Sequence, residues 1–348
     1  RDKLNGCLKI IEDDSKLSAF FLETQPDDGS QNNIEVHRLK DKLGTRALPT
    51  AEISMHGTKA VLLGERGRGV PTIAKLINVT RLYNAVSAVS GMRRCMDLMR
   101  DYSGRRRVFG KLLQQQPLHV ETMARLEVET QGAFHLVFHC VGLLGKDECG
   151  QTSEDEQAVL RLLIPLAKLY TAKQYVSLAS ETLESFGGAG YVEDTGLPGI
   201  LRDAQVLSIW EGTTNVLSLD ALRAMERNHA LDPLVGLIAE KIGGLEDRDL
   251  RIAAKPIRAL AASIPVALAQ ASHAGGEAVE SIGRDVAFAL TQATIGALML
   301  EHADWARNEE GDERAAVAAK RWCAQVSPLG EPHDEAYRRD NLRLVFDR

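Results

Sequence analysis

Over the first 70 residues, apolar positions fall in short β-type runs. Cys7 to Ile11, Leu17 to Leu22 and Ile34 to Leu39 are rich in apolar or β-branched residues, with turn clusters Asp13-Asp14-Ser15 and Asp27-Asp28-Gly29 between them. Three or four strands are predicted, few for an independent sheet. After Pro71 the period becomes helical. Val79, Leu82, Val86, Val89 and Met96 share one face of a first long helix; Phe134, Val137, Val141 and Leu144 share a face of a second; Val159, Leu162, Leu166, Leu169 and Val176 mark a third. A fourth starts just after Gly212 and carries Val216, Leu219 and Leu222, with breaks near Ser103-Gly104 and Gly145 to Gly150. Four long amphipathic helices with short connections predict a bundle. From His229 a second helical region follows, Ala-rich at Ala259 to Ala271 and Ala287 to Met299 and broken at Gly243-Gly244 and Gly275-Gly276. From Pro328 onward Pro, Gly and mixed charges replace periodicity, which predicts a packed or semi-ordered tail. The fold expected is mainly α with a partial β domain: a β segment over 1–70, a helical bundle over 71–228, and an additional helical domain and tail over 229–348.

Composition narrows the class. A chain of 348 residues with 44% hydrophobic, 26% charged and 5% aromatic residues has the profile of a folded, helix-leaning protein. No segment is expected to approach the roughly 20 apolar residues that cross a bilayer. The net charge of -6 comes from 42 basic and 48 acidic residues, interspersed along the chain. From His229 to the end, 14 basic residues face 19 acidic ones, which argues against a nucleic acid partner there. Five cysteines without a C-x-x-C pair indicate reduced thiols in an intracellular compartment. The chain opens at Arg1, without an initiator Met, on strand-like residues, so an N-terminal truncation is expected and targeting is unread.

Three segments could carry chemistry. Arg105-Arg106-Arg107 before Val108-Phe109-Gly110-Lys111 could grip a pyrophosphate, or could simply complement a helix C-terminus. Phe186-Gly187-Gly188-Ala189-Gly190-Tyr191 closes the third helix; its glycines admit a close ligand or merely stop the helix. Trp210-Glu211-Gly212-Thr213-Thr214-Asn215 puts a carboxylate on a tight turn before a helix, either a general base or a surface acid beside an N-cap. Two further signals read as decoys. His135 and His139 have i,i+4 spacing, yet the acidic third ligand of a zinc protease motif is missing, so no metal is expected. Gly64-Glu65-Arg66-Gly67-Arg68-Gly69 lacks the Gly-Lys-Ser/Thr of a phosphate loop and reads as an interdomain turn.

In order and spacing these pieces resemble the acyl-CoA dehydrogenase family of flavoproteins. The resemblance rests on Lys42-Leu43-Gly44-Thr45-Arg46 with Leu63-Gly64-Glu65, Thr80-Arg81, Arg106-x-x-Phe109-Gly110, Phe186-Gly187-Gly188-x-Gly190, Arg202-Asp203 and Glu211-Gly212-Thr213, and it covers about residues 1 to 228. Trp210, Gly190-Tyr191-Val192-Glu193 and the long extension make the chain most similar to the AidB-like branch. Glu184 departs from the Gln many members carry two residues before the Phe, and a carboxylate near a pyrophosphate is unfavourable.

The resemblance implies a subunit of helical bundle, middle β domain and second bundle, residues 1–70 being the C-terminal part of the β domain. It implies FAD as cofactor and α,β-dehydrogenation of a fatty acyl-CoA to the trans-2-enoyl-CoA, with Glu211 as the catalytic base. Arg106 would bind FAD pyrophosphate across a subunit interface, Phe109 would pack on the adenosine half, and Phe186, Gly187 and Gly188 would admit the same ligand. Thr213 and Asn215 would lie near flavin or adenine, Arg81 near the substrate entrance, and Gly212 beside the substrate. A homo-oligomer built as a dimer of dimers, an electron-transfer flavoprotein as redox partner and a mitochondrial matrix or cytoplasmic location complete the expectation. The alternative is an AidB-like flavoprotein that binds or sequesters acyl-CoA, or less readily nucleic acid, with little turnover.

Overall fold

The computed structural model describes residues 9–13, 16–25 and 32–346. Cys7, Asp14-Ser15 and the predicted turn at Asp27-Asp28-Gly29 lie outside them. The mainly helical fold with a small β part matches the expectation. Two compact units divide between Thr80 and Arg81, within the first helix.

The first unit holds five strands. β1 (Lys9–Asp13), β2 (Lys16–Phe21) and β5 (Val61–Leu63) form an antiparallel sheet in the order β1-β2-β5, while β3 (Ile34–Leu39) pairs with β4 (Ala51–Met55) around a bulge between Val36 and Arg38. The strands β4 and β5 escape sequence reading because one alternates Glu and Ser with its apolar residues and the other is three residues long. Between β3 and β4 the Lys42-Leu43-Gly44-Thr45-Arg46 loop is knit to itself: Lys42 Nζ donates to the Thr45 and Leu48 carbonyls at 2.8 and 2.6 Å, and Arg46 Nε to the Lys42 carbonyl at 2.8 Å. After β5, Gly64 and Gly67 take positive φ before helix α1 (Gly69–Arg105) begins, so the glycine-rich segment is a turn.

The second unit is helical. The end of α1 leads through a hairpin of β6 (Arg107–Val108) and β7 (Lys111–Leu112) into α2 (Pro117–Glu148), α3 (Glu154–Ser185), α4 (Leu197–Leu207) and α5 (Thr214–Asn228). The extension adds α6 (Leu231–Gly243), α7 (Arg248–Ala253), α8 (Lys255–His273), α9 (Gly276–Glu310), α10 (Glu313–Ala324) and α11 (Glu335–Phe346). Helix α3 is buried from Val159 to Ala172 with little interruption, and α9 packs on α2, α3 and α5, so bundle and extension share one core. Trp322 of α10 closes that core, seated against Gly132 of α2 and Gly296 of α9, with its indole N–H given to the Gln292 carbonyl at 3.1 Å.

Several predicted faces need correction. On α2 the inward residues are Ala133, Leu136, Val137, Cys140 and Leu143, while Phe134 and Val141 are exposed. On α5 they are Thr214, Leu217, Ser218, Ala221 and Ala224, and Val216 is exposed. Val79 is exposed as well. Small residues let helices approach closely, so they occupy the contact stripe and leave larger aliphatics to an adjacent face. The expected tail is only partly irregular, because α11 follows Pro332; its polar sequence lacks an apolar stripe but carries Glu335–Arg339 and Asp340–Arg343 pairs that support an exposed helix. Two segments, 248–273 and 276–310, do reach membrane-span length and apolarity, contrary to expectation. Most of the apolar window of α9 is buried in the core just described, which accounts for its composition.

Candidate functional site

The turn between α4 and α5 is held from beneath. Glu211 sits in left-handed backbone at φ 58°, followed by Gly212 at φ 107°. Left-handed backbone costs a non-glycine residue roughly 1–2 kcal/mol and persists only when its surroundings impose it. Two cations do so here. Arg81 of α1 donates from Nε to the Glu211 carbonyl at 3.2 Å, and Lys168 of α3 donates from Nζ to the Gly212 carbonyl at 2.5 Å. Arg81 is fixed in turn by Asp220 of α5 at 2.7 Å, and Arg161 of α3 binds the other oxygen of the same carboxylate at 2.7 Å. Desolvation is the largest single influence on the Asp220 carboxyl and works to raise it, but the hydrogen bonds and charges of Arg161 and Arg81 together hold it below the usual carboxylate range. Lys168 is fully buried, and desolvation first, then repulsion from Arg81, push its ammonium down to about 8 despite attraction from Glu211.

The same turn opens a helix N-terminus. Thr213 is the N-cap of α5, yet its side chain makes no capping bond. The backbone bonds of this stretch run from the Trp210 N–H to Val206 and from the Leu217 N–H to Thr213; among the described residues, the N–H groups of Glu211, Gly212 and Thr213 have no backbone acceptor. Glu211 is half-buried, Thr213 and Asn215 are exposed and Thr214 points into the core. A carboxylate and free amide donors therefore share one fixed turn, the arrangement a proton abstraction with oxyanion stabilisation requires.

At the other end of α1 lies a second group. The β6–β7 hairpin turns on Phe109 and Gly110, both with positive φ, which is the two-residue turn that matches strand twist. Phe109 is 98% exposed, and among the described residues no ion pair engages the exposed Arg106. Tyr102 of α1 stacks on Phe186 at 4.3 Å, which brings the hairpin and the glycine turn after α3 to the same end of the bundle. Within that turn Gly187 has φ 61° and follows the helix cap as a stop signal, while a Cβ on Gly190 would lie 1.9 Å from the Leu183 carbonyl oxygen. Gly188 faces open space and has neither reason to be glycine.

These two groups are far apart. Arg81 and Tyr102 are separated by 21 residues of α1, about 30 Å at 1.5 Å per residue. Of the residues marked in the sequence, Arg81, Glu211, Gly212, Thr213 and Asn215 gather at one end, and Arg106, Phe109, Phe186, Gly187 and Gly188 at the other. Sequence reading missed Lys168, Arg161 and Asp220, which carry the Glu211 turn; a single lysine inside the apolar run Leu166-Ala167-Lys168-Leu169-Tyr170 was the available signal. Elsewhere, His135 and His139 line a groove beside His302, and burial pushes both imidazoles down to about 4. Among the described residues no three or more His, Cys, Asp or Glu side chains converge as metal ligands.

Residues 67–226 match the family described as acyl-CoA dehydrogenase, C-terminal domain, and residues 231–342 match acyl-CoA dehydrogenase 11 C-terminal domain-like. The chain belongs to the acyl-CoA dehydrogenase family. It is 39% identical to acyl-CoA dehydrogenase family member 11 of Caenorhabditis elegans, over 97% of this chain and 56% of that one. It is 31% identical to AidB of Escherichia coli (strain K12), over 82% of this chain and 50% of that one. The chain thus spans about half the length of these relatives. The crystal structure of C. elegans ACDH-11 in complex with C11-CoA superposes with a TM-score of 0.90 at 38% identity, covering 95% of this chain and 57% of that one. A Bacillus anthracis acyl-CoA dehydrogenase complexed with FAD shares the fold, with a TM-score of 0.77 at 18% identity over 99% of this chain and 61% of that one.

Proposed function

We propose that this chain is the catalytic half of an FAD-dependent acyl-CoA dehydrogenase, in which Glu211 removes the α-proton of a fatty acyl-CoA thioester. The observation that carries the reading is the Glu211 turn itself: a carboxylate on left-handed backbone, anchored through two carbonyls by Arg81 and Lys168, at the uncapped start of α5. An α-proton of a thioester is weakly acidic, so its removal needs a fixed base and donors aimed at the enolate oxygen. The Glu211 carboxylate supplies the first and the Glu211 N–H one of the second. Bound FAD supplies the acceptor for the β-hydride. The residues present fit that cofactor: the hairpin presents an exposed Phe109 for an adenosine face, Arg106 stands ready for a pyrophosphate, and Gly188 leaves room for backbone approach. The separation of about 30 Å along α1 exceeds what one dinucleotide bridges, so the hairpin serves the flavin of a second subunit in a homo-oligomer. Reoxidation by an electron-transfer flavoprotein belongs to the same proposal.

Support for the substrate class comes from the C. elegans relative with C11-CoA bound. That same observation favours the second reading, retention of acyl-CoA with little turnover. Nucleic acid is disfavoured because Lys241, Arg307 and Arg314 of the extension are each engaged by carboxylates. The deciding experiment is Glu211→Gln in the intact flavoprotein, with anaerobic bleaching of the flavin near 450 nm by a series of saturated acyl-CoAs. Bleaching should slow by roughly 10²- to 10⁴-fold or more while flavin content and ligand binding persist. Equal rates in both proteins would remove Glu211 from the role of base. If wild type binds acyl-CoA but never bleaches, the retention reading holds.

A further inference from the structure

Lys168 has no evident structural reason to be a lysine. It lies mid-helix in α3 between Ala167 and Leu169, is fully buried, and donates a hydrogen bond to a backbone carbonyl and not to a carboxylate. Asp220 is shared by Arg81 and Arg161, and Glu211 attracts the ammonium only at a distance, with no hydrogen bond or ion pair between them among the described residues. Burying an ammonium without a carboxylate partner is costly, and a Met or Leu would fill the same space in this apolar run without that cost. What the ammonium does supply is a charge-assisted donor to the Gly212 carbonyl, one peptide beyond the carbonyl that Arg81 holds. With both carbonyls pinned, the peptide planes on either side of Gly212 are fixed, and with them the direction in which the Glu211 side chain leaves the backbone.

We infer that Lys168 is a positioning residue for the Glu211 base, locking the Gly212 peptide so that the carboxylate stays in its reactive orientation. The inference rests on the reading of Glu211 as base and adds to it a second residue, on a different helix, without which the base is present but loose. The charged groups that face the Lys168 ammonium are Arg81 from α1 and Glu211 from the turn, with Asp220 of α5 and Arg161 of α3 joined to Arg81 behind them. Because its burial lowers the ammonium to about 8, the lock should weaken within reach of experiment as pH rises through that value.

The test uses the flavin-loaded holoprotein, its Lys168→Met variant, and Lys168→Gln, which keeps a neutral donor. Amide hydrogen exchange across 211–215 reads the turn, and anaerobic flavin bleaching by a saturated acyl-CoA reads the chemistry. In Lys168→Met, exchange in the turn should quicken by about tenfold or more and the bleaching rate should fall roughly 10- to 100-fold, with acyl-CoA affinity within about twofold and flavin content unchanged. Lys168→Gln should fall between Lys168→Met and wild type. Wild-type bleaching should also decline above about pH 8, a limb absent from Lys168→Met. Combining Lys168→Met with Glu211→Gln should cost no more than Glu211→Gln alone, because the lock acts only through that carboxylate. Unchanged exchange in the turn, a bleaching rate within about threefold of wild type, or a loss that simply tracks lost flavin overturns the inference. Should Lys168→Met not fold, an absent pH limb in the wild type overturns it equally. Failure of the base reading is seen separately, in Glu211→Gln bleaching like wild type.

Discussion

Glu211 and Phe109 make an instructive pair. Both are non-glycine residues in left-handed backbone, at φ 58° and 50°, and both precede a glycine that shares the conformation. Their surroundings differ completely. The Glu211 turn is gripped by Arg81 and Lys168 and backed by Asp220 and Arg161, whereas Phe109 stands 98% exposed at the tip of a two-residue hairpin. Strain held by a cage of side chains marks a turn whose backbone geometry is fixed by its own chain. Strain spent on exposing an aromatic ring marks a surface built for something outside it. Under the proposed function the first group would act on its own subunit's substrate, and the second would reach the cofactor of another subunit.

Mixed oligomers give the largest effect that can break this division. One subunit carries Glu211→Gln with an intact hairpin; the other carries Arg106→Ala and Phe109→Ala with an intact Glu211. Each should be nearly inactive alone. Dissociated, mixed and reassembled, they should recover about a quarter of wild-type bleaching per site, because random pairing makes half the dimers mixed and one site in each is whole. No recovery above the parents would place the hairpin and Glu211 on the same flavin and dissolve the comparison.

A smaller effect separates the two regions within a single variant. Arg106 is exposed, and among the described residues it has no ion-pair partner to lose. Arg106→Ala should therefore leave the thermal midpoint of the flavin-free protein within about 1–2 °C, as surface changes usually do. Loss of a charge-assisted contact to phosphate should weaken flavin retention by about 10- to 100-fold, read as the flavin concentration needed for half-saturation. A fall in stability without a change in retention would return the residue to its alternative role, as decoration of a helix C-terminus.

How much of this was legible beforehand differs between the two regions in the same way. The glycine turn is a local feature, so Phe186-Gly187-Gly188 announces its helix stop from sequence alone, whereas the Phe109-Gly110 hairpin was not read there, its segment being taken for a pyrophosphate grip or a helix C-terminus. The Glu211 turn was equally visible as a carboxylate before a helix. Its cage was not, because Arg81, Arg161, Lys168 and Asp220 come from three helices and meet only through packing. Helix positions were readable from periodicity, as were the breaks at Gly243-Gly244 and Gly275-Gly276. Helix faces were less so. On α2 and α5 the stripe that packs is made of Ala, Ser, Thr and Cys along with Leu, and a pattern drawn through the bulkiest side chains lands beside it. Helix α4 carries the Arg202-Asp203 motif but is 11 residues long and starts from a left-handed Gly196, with no polar cap to announce it.

The smallest effect tests whether Thr213 belongs to the fold or to a ligand. Two helices of the bundle start on hydroxyl residues. Ser153 before α3 forms a full capping box: its Oγ accepts from the Glu156 N–H at 3.2 Å, and Glu156 Oε2 accepts from the Ser153 N–H at 2.9 Å. Thr213 before α5 makes no such bond. Removing a working N-cap typically costs about 1 kcal/mol, so Ser153→Ala should lower the thermal midpoint by roughly 2–4 °C. Thr213→Ala has no cap bond to lose and should shift it by less than about 1 °C. If Thr213 instead keeps the helix start open for an anionic or polar ligand, its variant should lose flavin or acyl-CoA affinity by about 5- to 10-fold, the worth of one neutral hydrogen bond, while Ser153→Ala binds both as wild type does. Equal thermal losses from the two variants would make Thr213 an ordinary cap, and the open helix start at the Glu211 turn would then have no functional content.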